Sequence, residues 1–80
     1  MQLARQAVQV PGSARRDLDI LLDLSNRIGL ATPFTTAAEV MDEIATVTPS
    51  WRGITHARLD ESGGLQYPVA DRTHPGTAFL

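Results

Sequence analysis

Cysteine is absent from this sequence of 80 residues. Its absence excludes disulfide bonds, iron–sulfur ligation and thiolate zinc sites within these residues, although it does not assign a cellular compartment. The two histidines, His56 and His74, lie far apart in the sequence, and no other ligand pattern surrounds them. Because a zinc site needs three or four ligands, we predict no zinc site here.

Lysine, a strong net charge and long apolar runs are also absent. All seven basic residues are arginine, and the formal net charge is −2. Such a charge gives no driving force for broad binding to nucleic acid or to anionic membranes. The longest apolar stretch, around residues 20–22, is far shorter than the ~20 residues that span a bilayer. We therefore expect neither nucleic-acid binding nor membrane insertion, and we attribute the all-arginine usage to codon bias.

No catalytic motif is present. The sequence lacks GxSxG, the P-loop and the dinucleotide GxGxxG pattern, and no base is placed near any serine. Asp19 and Asp23 stand four positions apart on one predicted helix face, a spacing that could serve acid–base chemistry or a metal. No third ligand is near, so we interpret the pair as a solvated edge. A small enzyme that uses this pair is the weakest functional alternative.

Apolar periodicity predicts a first helix over residues 18–28. Asp17 is the expected N-cap residue, and Gly29 is suited to end the helix. The opposite side of this helix is polar, with Asp19, Asp23, Asn26 and Arg27. The apolar face is predicted from residues at helical spacing: Leu18, Ile20, Leu21, Leu22, Leu24, Ser25 and Ile28.

A capping box at Thr36 and Glu39 predicts the start of a second helix, which is predicted to end by Val47. A turn over residues 49–53 then carries the single tryptophan, and Thr55 is expected to cap a short third helix through Leu59. The predicted buried stripe of the second helix is Ala37, Val40, Met41, Ile44 and Ala45, whereas Glu39, Asp42 and Glu43 are expected to face water.

The predicted fold class is mainly α, as one small helical domain over residues 1–80 that forms part of a larger α/β enzyme. Extended or loop segments are expected at residues 1–10, 65–69 and 70–80. The two main helices are expected to pack on each other and on the tryptophan turn, with most large apolar area from Phe34, Trp51 and Tyr67. A DNA-binding helix-turn-helix is rejected, because the second helix is acidic.

The junction at residues 11–17, PGSARRD, is the strongest chemical signal. A turn delivers two arginines and Asp17 to the start of an apolar helix, where unpaired backbone N–H groups favour anions. A carboxylate held there could instead face outward and accept two N–H donors, such as the ring N–H and amino group of guanine. Arg15 or Arg16 would then lie near phosphate. The plainer interpretation is an N-cap alone.

Four sequence blocks, at residues 11–18, 21–29, 38–54 and 64–77, together resemble part of the catalytic subunit of molybdopterin-guanine-dinucleotide oxidoreductases. The formate dehydrogenase alpha subunit is the most similar branch, with nitrate reductases and the large iron–sulfur subunit of NADH:quinone oxidoreductase as relatives. The resemblance covers nearly all of the chain and implies an internal segment of such a subunit. There are departures: Leu18 and Tyr67 stand where tryptophan is frequent, and Ser13 replaces a frequent glutamate.

The resemblance implies a cofactor and partners. Asp17 matches the family aspartate that contacts guanine of a bis-molybdopterin guanine dinucleotide cofactor with molybdenum or tungsten. An iron–sulfur cluster, the rest of the subunit and electron-transfer subunits would complete a cytoplasmic enzyme that oxidises formate to carbon dioxide. No catalytic or metal-binding residue is assigned to this chain, which would be inert alone. A stand-alone helical protein-interaction module remains the alternative.

Overall fold

The computed structural model describes residues 1–79, so Leu80, the end of the predicted C-terminal loop, lies outside the described residues. It contains three α-helices and a short 3₁₀ turn, with no strand in this part of the chain. The mainly α prediction is confirmed. The helices are α1 at Asp17–Arg27, α2 at Ala37–Val47 and α3 at His56–Ser62, and the 3₁₀ turn is at Pro49–Trp51.

Helix α1 begins one residue earlier than predicted, and Asp17 is not its N-cap. Arg16 occupies that position with an extended backbone, and its carbonyl accepts the first helical bond, from the Ile20 N–H at 3.1 Å. No side chain caps this end. Asp17 is therefore the first helical residue, placed where its charge still interacts favourably with the helix dipole. At the other end, Gly29 has a φ of +90°, as expected for a helix terminator.

Helices α2 and α3 start at the predicted caps. The Thr36 hydroxyl accepts from the Glu39 N–H at 3.2 Å, and the Glu39 carboxylate accepts from the Thr36 N–H at 3.0 Å, which completes the capping box. The Thr55 hydroxyl accepts from the Arg58 N–H at 3.2 Å. Helix α3 continues to Ser62, beyond the predicted end, and Gly63 closes it in a left-handed conformation.

The hydrophobic core is aliphatic and lies in the second half of the chain. Trp51 packs at its border, edge-on to Tyr67 with 6.5 Å between ring centroids, but Tyr67 is 46% exposed and no aromatic side chain among residues 1–79 is fully buried. The expectation that aromatics supply most of the core was therefore wrong. The buried cluster consists of Met41, Ile54, Leu59, Leu65 and Val69, with Leu3, Ile44 and Trp51 packed against it.

The expected packing of the two main helices on each other is also wrong. Helix α2 packs against the 3₁₀ turn and makes little contact with α1, and α1 contributes no buried residue. Instead, Met41 of α2 packs in a cluster with Ile54, Leu59, Leu65 and Val69, all of which follow α2 in the chain. Of the rest of the predicted stripe of α2, Val40 and Ile44 are half-buried and Ala37 is exposed.

Main-chain hydrogen bonds fasten the loops to this core. The Gly53 N–H donates to the Val69 carbonyl at 2.9 Å, and the Val69 N–H donates to Ser50 at 2.8 Å. Met1 and Leu65 exchange hydrogen bonds through their backbone groups. These bonds satisfy backbone groups that lie outside the helices, and they hold the N-terminus and residues 65–69 in place.

Arg58 of α3 anchors the C-terminal loop from within. Its half-buried guanidinium donates to the carbonyls of Gly53 at 2.6 Å, His74 at 2.7 Å and Asp71 at 3.3 Å. Charged donors make stronger hydrogen bonds than neutral ones. One side chain thus connects α3, the end of the tryptophan turn and the loop.

The radius of gyration is 14.9 Å, with extents of 42 × 31 × 20 Å. A compact domain of this length has a radius of about 12 Å. The difference agrees with the position of α1 and of the exposed N-terminal arm, residues 4–10, beside the core rather than within it.

Candidate functional site at the start of helix α1

A tight turn positions the start of α1. The Ala14 N–H donates to the Pro11 carbonyl at 3.1 Å, and Gly12 lies within this turn at a φ of +56°. Glycine adopts this left-handed conformation without the steric penalty of a side chain. The turn brings Arg15, Arg16 and Asp17 to the helix end, as the sequence predicted.

Both arginines bind acidic side chains of α1. Arg16 holds Asp19 through two hydrogen bonds of 2.8 Å, and Arg15 lies 3.2 Å from Asp23. Arg27 binds the other oxygen of Asp23 at 3.0 Å. The sequence-based placement of Arg15 or Arg16 beside a phosphate has no counterpart in these contacts, because both guanidiniums face carboxylates.

These ion pairs hold both carboxylates in the charged form. Hydrogen bonds from Arg16 lower the pKa of Asp19, and hydrogen bonds from Arg27 and Arg15 lower the pKa of Asp23. A general acid needs a pKa near the working pH, so the pair is poorly suited to that role. The interpretation of Asp19 and Asp23 as a solvated edge changes in one respect: both are partly shielded by arginine.

Asp17 differs from its two acidic neighbours. It is exposed, and its carboxylate makes no hydrogen bond or ion pair with any residue in the range 1–79. Both oxygens are therefore open to donors from outside the chain. An open carboxylate can accept from a group that presents two adjacent N–H donors, such as the guanine edge, so the acceptor chemistry of this position fits the implied nucleotide.

A shallow groove of about 440 Å³ lies beside this helix end. Val8, Val10 and Pro11 line one side, and Leu18 and Ala37 belong to the helices on the other. The sequence predicted only an extended or loop segment at residues 1–10. Residues 1–10 form no helix or strand, and Val8 is 78% exposed.

The histidines do not extend the site. His74 accepts the Gly76 N–H on Nδ1 at 3.1 Å, and His56 is half-buried at the start of α3. Within residues 1–79 no three histidine, aspartate or glutamate side chains are grouped to hold a metal ion. In the same range, no helix is long and apolar enough to cross a membrane.

Two further hydrogen-bonded carboxylates, those of Asp71 and Glu39, predict that the folded chain is less stable in acid. Hydrogen bonds from the hydroxyl and backbone N–H of Thr73 lower the pKa of Asp71, and the N–H of Thr35 and Thr36 lowers that of Glu39. At pH values between the folded and unfolded pKa of each carboxyl group, the folded chain binds fewer protons than the unfolded chain. The stabilisation by these two carboxylates is therefore complete above about pH 5 and is lost as the pH falls through the pKa values of the folded state.

The measurement is urea unfolding at about pH 7 and about pH 3, where we expect a lower midpoint in acid. Asp71→Asn should be less stable at neutral pH and show a smaller acid effect. An unchanged or higher midpoint at the lower pH contradicts the assignment.

The fold and the site define a small helical unit with an open carboxylate at the start of an incompletely packed helix. Comparison with curated proteins then gives its relatives. The chain is 38% identical over its whole length to part of the F420-dependent formate dehydrogenase subunit alpha of Methanocaldococcus jannaschii, and 39% identical to part of the F420-dependent formate dehydrogenase 1 subunit alpha of Methanococcus maripaludis. The predicted resemblance to a segment of formate dehydrogenase alpha subunits is thus confirmed.

The chain spans only 12% of the length of each of these two relatives. No family model matches the sequence. No solved structure matches it either. The activity of a whole subunit therefore belongs to the proposal that follows.

Proposed function

We propose that this chain is a packing and cofactor-contacting segment of a formate dehydrogenase alpha subunit. The observation that carries the proposal is similarity over the full 80 residues to alpha subunits of that name. The complete enzyme would oxidise formate to carbon dioxide and pass electrons through an iron–sulfur cluster to electron-transfer subunits. The isolated chain would be inactive, since cysteine ligands for a cluster must come from elsewhere in the subunit.

Asp17 would contact the guanine of a bis-molybdopterin guanine dinucleotide cofactor. Its exposed carboxylate has no competing donor within the described residues, whereas Asp19 and Asp23 are bound by arginine. The two oxygens would accept the ring N–H and the amino group of the base and so orient the nucleotide. The molybdenum or tungsten centre of the bound cofactor supplies the redox chemistry.

The test is Asp17→Ala in the full-length subunit. A hydrogen-bonded pair with one charged partner contributes about 1.5–3 kcal/mol, so its loss should weaken nucleotide binding about tenfold or more. Pterin, guanine nucleotide and metal content per subunit are measured after purification, and all three should fall together.

Asp42→Ala is the matched control. Asp42 is an exposed aspartate of α2 whose carboxylate makes no hydrogen bond in residues 1–79, so its removal should leave cofactor content unchanged. Equal cofactor content in the wild type and Asp17→Ala would remove Asp17 from the site.

The alternative, a stand-alone helical module that docks a partner, is favoured by one observation: the apolar residues of α1 are largely exposed. The coding sequence around the chain separates the two functions. An upstream cysteine-rich cluster motif in the same reading frame is expected for the formate dehydrogenase segment, and its absence would favour the module.

A further inference from the structure

Helix α1 has three distinct faces. Leu18, Leu22 and Ser25 are half-buried and face the rest of the chain, whereas Asp19, Asp23 and Arg27 form a polar face joined by ion pairs. The third face is an apolar stripe that continues beyond the helix end at Arg27. We call it the α1 stripe: Ile20, Leu21, Leu24, Ile28 and Leu30, with exposed fractions of 43%, 61%, 52%, 67% and 58%.

The α1 stripe is not a scatter of single apolar residues. Positions 21, 24 and 28 are three, four and seven residues apart, and position 20 lies four before position 24, which places these side chains on one helix surface. Their exposed parts, with that of Leu30, amount to about three whole side chains. Contiguous exposed apolar surface of this kind marks a contact site.

The size of the α1 stripe distinguishes between possible occupants. Full burial of an aliphatic side chain contributes about 1.5–3 kcal/mol, which at ~25 cal/mol per Å² corresponds to about 60–120 Å² of apolar surface per side chain. The exposed parts of the five side chains in the stripe therefore amount to about 200–350 Å². A stable complex of separate chains needs about 800 Å² on each partner. The stripe is therefore too small to hold a second copy by itself.

A tethered partner does not need so large a surface. Covalent linkage makes docking intramolecular, with an effective concentration that reaches the millimolar range for short connections. The chain covers only 12% of its relatives, so a subunit of that length contains ample polypeptide to cover a helix of eleven residues.

We propose that the α1 stripe is an intramolecular docking surface, covered by polypeptide of the same subunit outside residues 1–80. This assignment rests on the proposed function, because it requires the chain to be part of a larger subunit. The covering surface is apolar and contacts Ile20, Leu21, Leu24 and Ile28, while the ion-paired face of α1 stays in contact with water. Docking there holds Asp17, one turn before the stripe, in a fixed direction.

The arginines of the chain supply the test. Lysine is absent, so trypsin cuts only after arginine, and Arg27 stands exposed at the end of α1. Brief digestion is compared for the 80-residue chain and the full-length subunit, with cleavage after Arg27 measured by mass spectrometry. We expect cleavage at least tenfold slower in the subunit, and we expect Leu21→Glu combined with Ile28→Glu to restore it there.

Val47→Glu is the matched control, because Val47 is an apolar residue of α2 that is 74% exposed and lies outside the α1 stripe. It should leave protection of Arg27 intact. If the doubly charged variant of the subunit does not accumulate, Leu21→Ala combined with Ile28→Ala removes apolar area without adding charge and should raise cleavage in the same direction.

Two results overturn the assignment. One is cleavage after Arg27 in the full-length subunit that is as fast as in the short chain, or that the stripe variants do not change. The other is an 80-residue chain that elutes as a dimer and becomes a monomer with the stripe variants, which identifies a second copy as the occupant. Cofactor content is measured in the same samples. A subunit that contains no pterin but is still protected from cleavage after Arg27 contradicts the proposed function and leaves the docking surface intact.

Discussion

Replacing Gly53 with alanine is expected to lower the free energy of unfolding by about 3 kcal/mol or more, at the upper end of overpacking effects. A Cβ atom at this position would lie 1.9 Å from the Asp71 carbonyl oxygen and 2.6 Å from a methyl group of Val69. Neither neighbour can retreat easily, because Asp71 is held by Arg58 and Val69 is completely buried. The clash also separates Gly53 from its hydrogen-bond partner, the Val69 carbonyl.

Urea unfolding of the 80-residue chain followed by circular dichroism measures this effect. Gly63→Ala is the matched control, because Gly63 has open space around it but a φ of +74°. That variant should lose only about 1–2 kcal/mol, the conformational penalty of a left-handed L-residue. If Gly53→Ala lost no more than Gly63→Ala, the close approach of the C-terminal loop would be contradicted.

Ile54→Ala is expected to lower the free energy of unfolding by about 2–5 kcal/mol, since truncation of a buried aliphatic side chain loses its transfer free energy and leaves a cavity. Ile54 is 0% exposed and lies in the buried cluster with Val69 and Leu59. Because a domain of this size has a small stability margin, the loss should leave much of the chain unfolded at room temperature. Ile54→Val, expected to lose about 0.5–1.5 kcal/mol, keeps the effect measurable.

Leu21→Ala provides the comparison for Ile54→Ala in the same 80-residue chain. Leu21 is 61% exposed on α1, so its truncation should change the free energy of unfolding by about 0.5 kcal/mol or less. The free energies of unfolding of both variants and of the wild type are measured by thermal or urea unfolding. A Leu21→Ala loss as large as that of Ile54→Ala would place α1 in the core and contradict the position described for it.

The features that the sequence predicted best are those that depend on residues close together along the chain. The capping box of Thr36 and Glu39, the cap at Thr55 and the terminating Gly29 each act within a few residues, so the signal and its structural effect lie in the same segment. The short proline-initiated turn before Trp51 is of the same kind. Helix existence and type followed from these local rules.

Features that depend on residues far apart along the chain could not be predicted from the sequence. The apolar face of α1 indicated burial, but periodicity says only that a face is apolar, not which surface covers it. Leu65 and Val69 lie far along the chain from Met41 but pack in the same buried cluster, to which α1 contributes no residue. The role of Arg58 was missed for the same reason, since its partners are carbonyl groups that any residue type carries.

For the candidate site, the sequence predicted where Asp17 lies but not which residue is the N-cap of helix α1. The turn at residues 11–14 and the outward exposure of Asp17 follow from local chemistry. The N-cap assignment to Asp17 was wrong because Arg16 adopts the extended backbone of a cap, a shift of one residue that side-chain preferences alone do not resolve. The contact of Asp17 with guanine stays a prediction.

Arg58 has a consequence for how this chain can diverge. Its guanidinium binds main-chain oxygens of the C-terminal loop, and the Asp71 carboxylate accepts from the backbone N–H groups of Thr73 and His74. Substitutions of the exposed Arg72 and Pro75, which take no part in these bonds, are therefore expected to leave the course of the loop unchanged. The surface of this loop can thus change its chemistry without a change in its backbone path, provided that Arg58, Gly53 and Asp71 are kept.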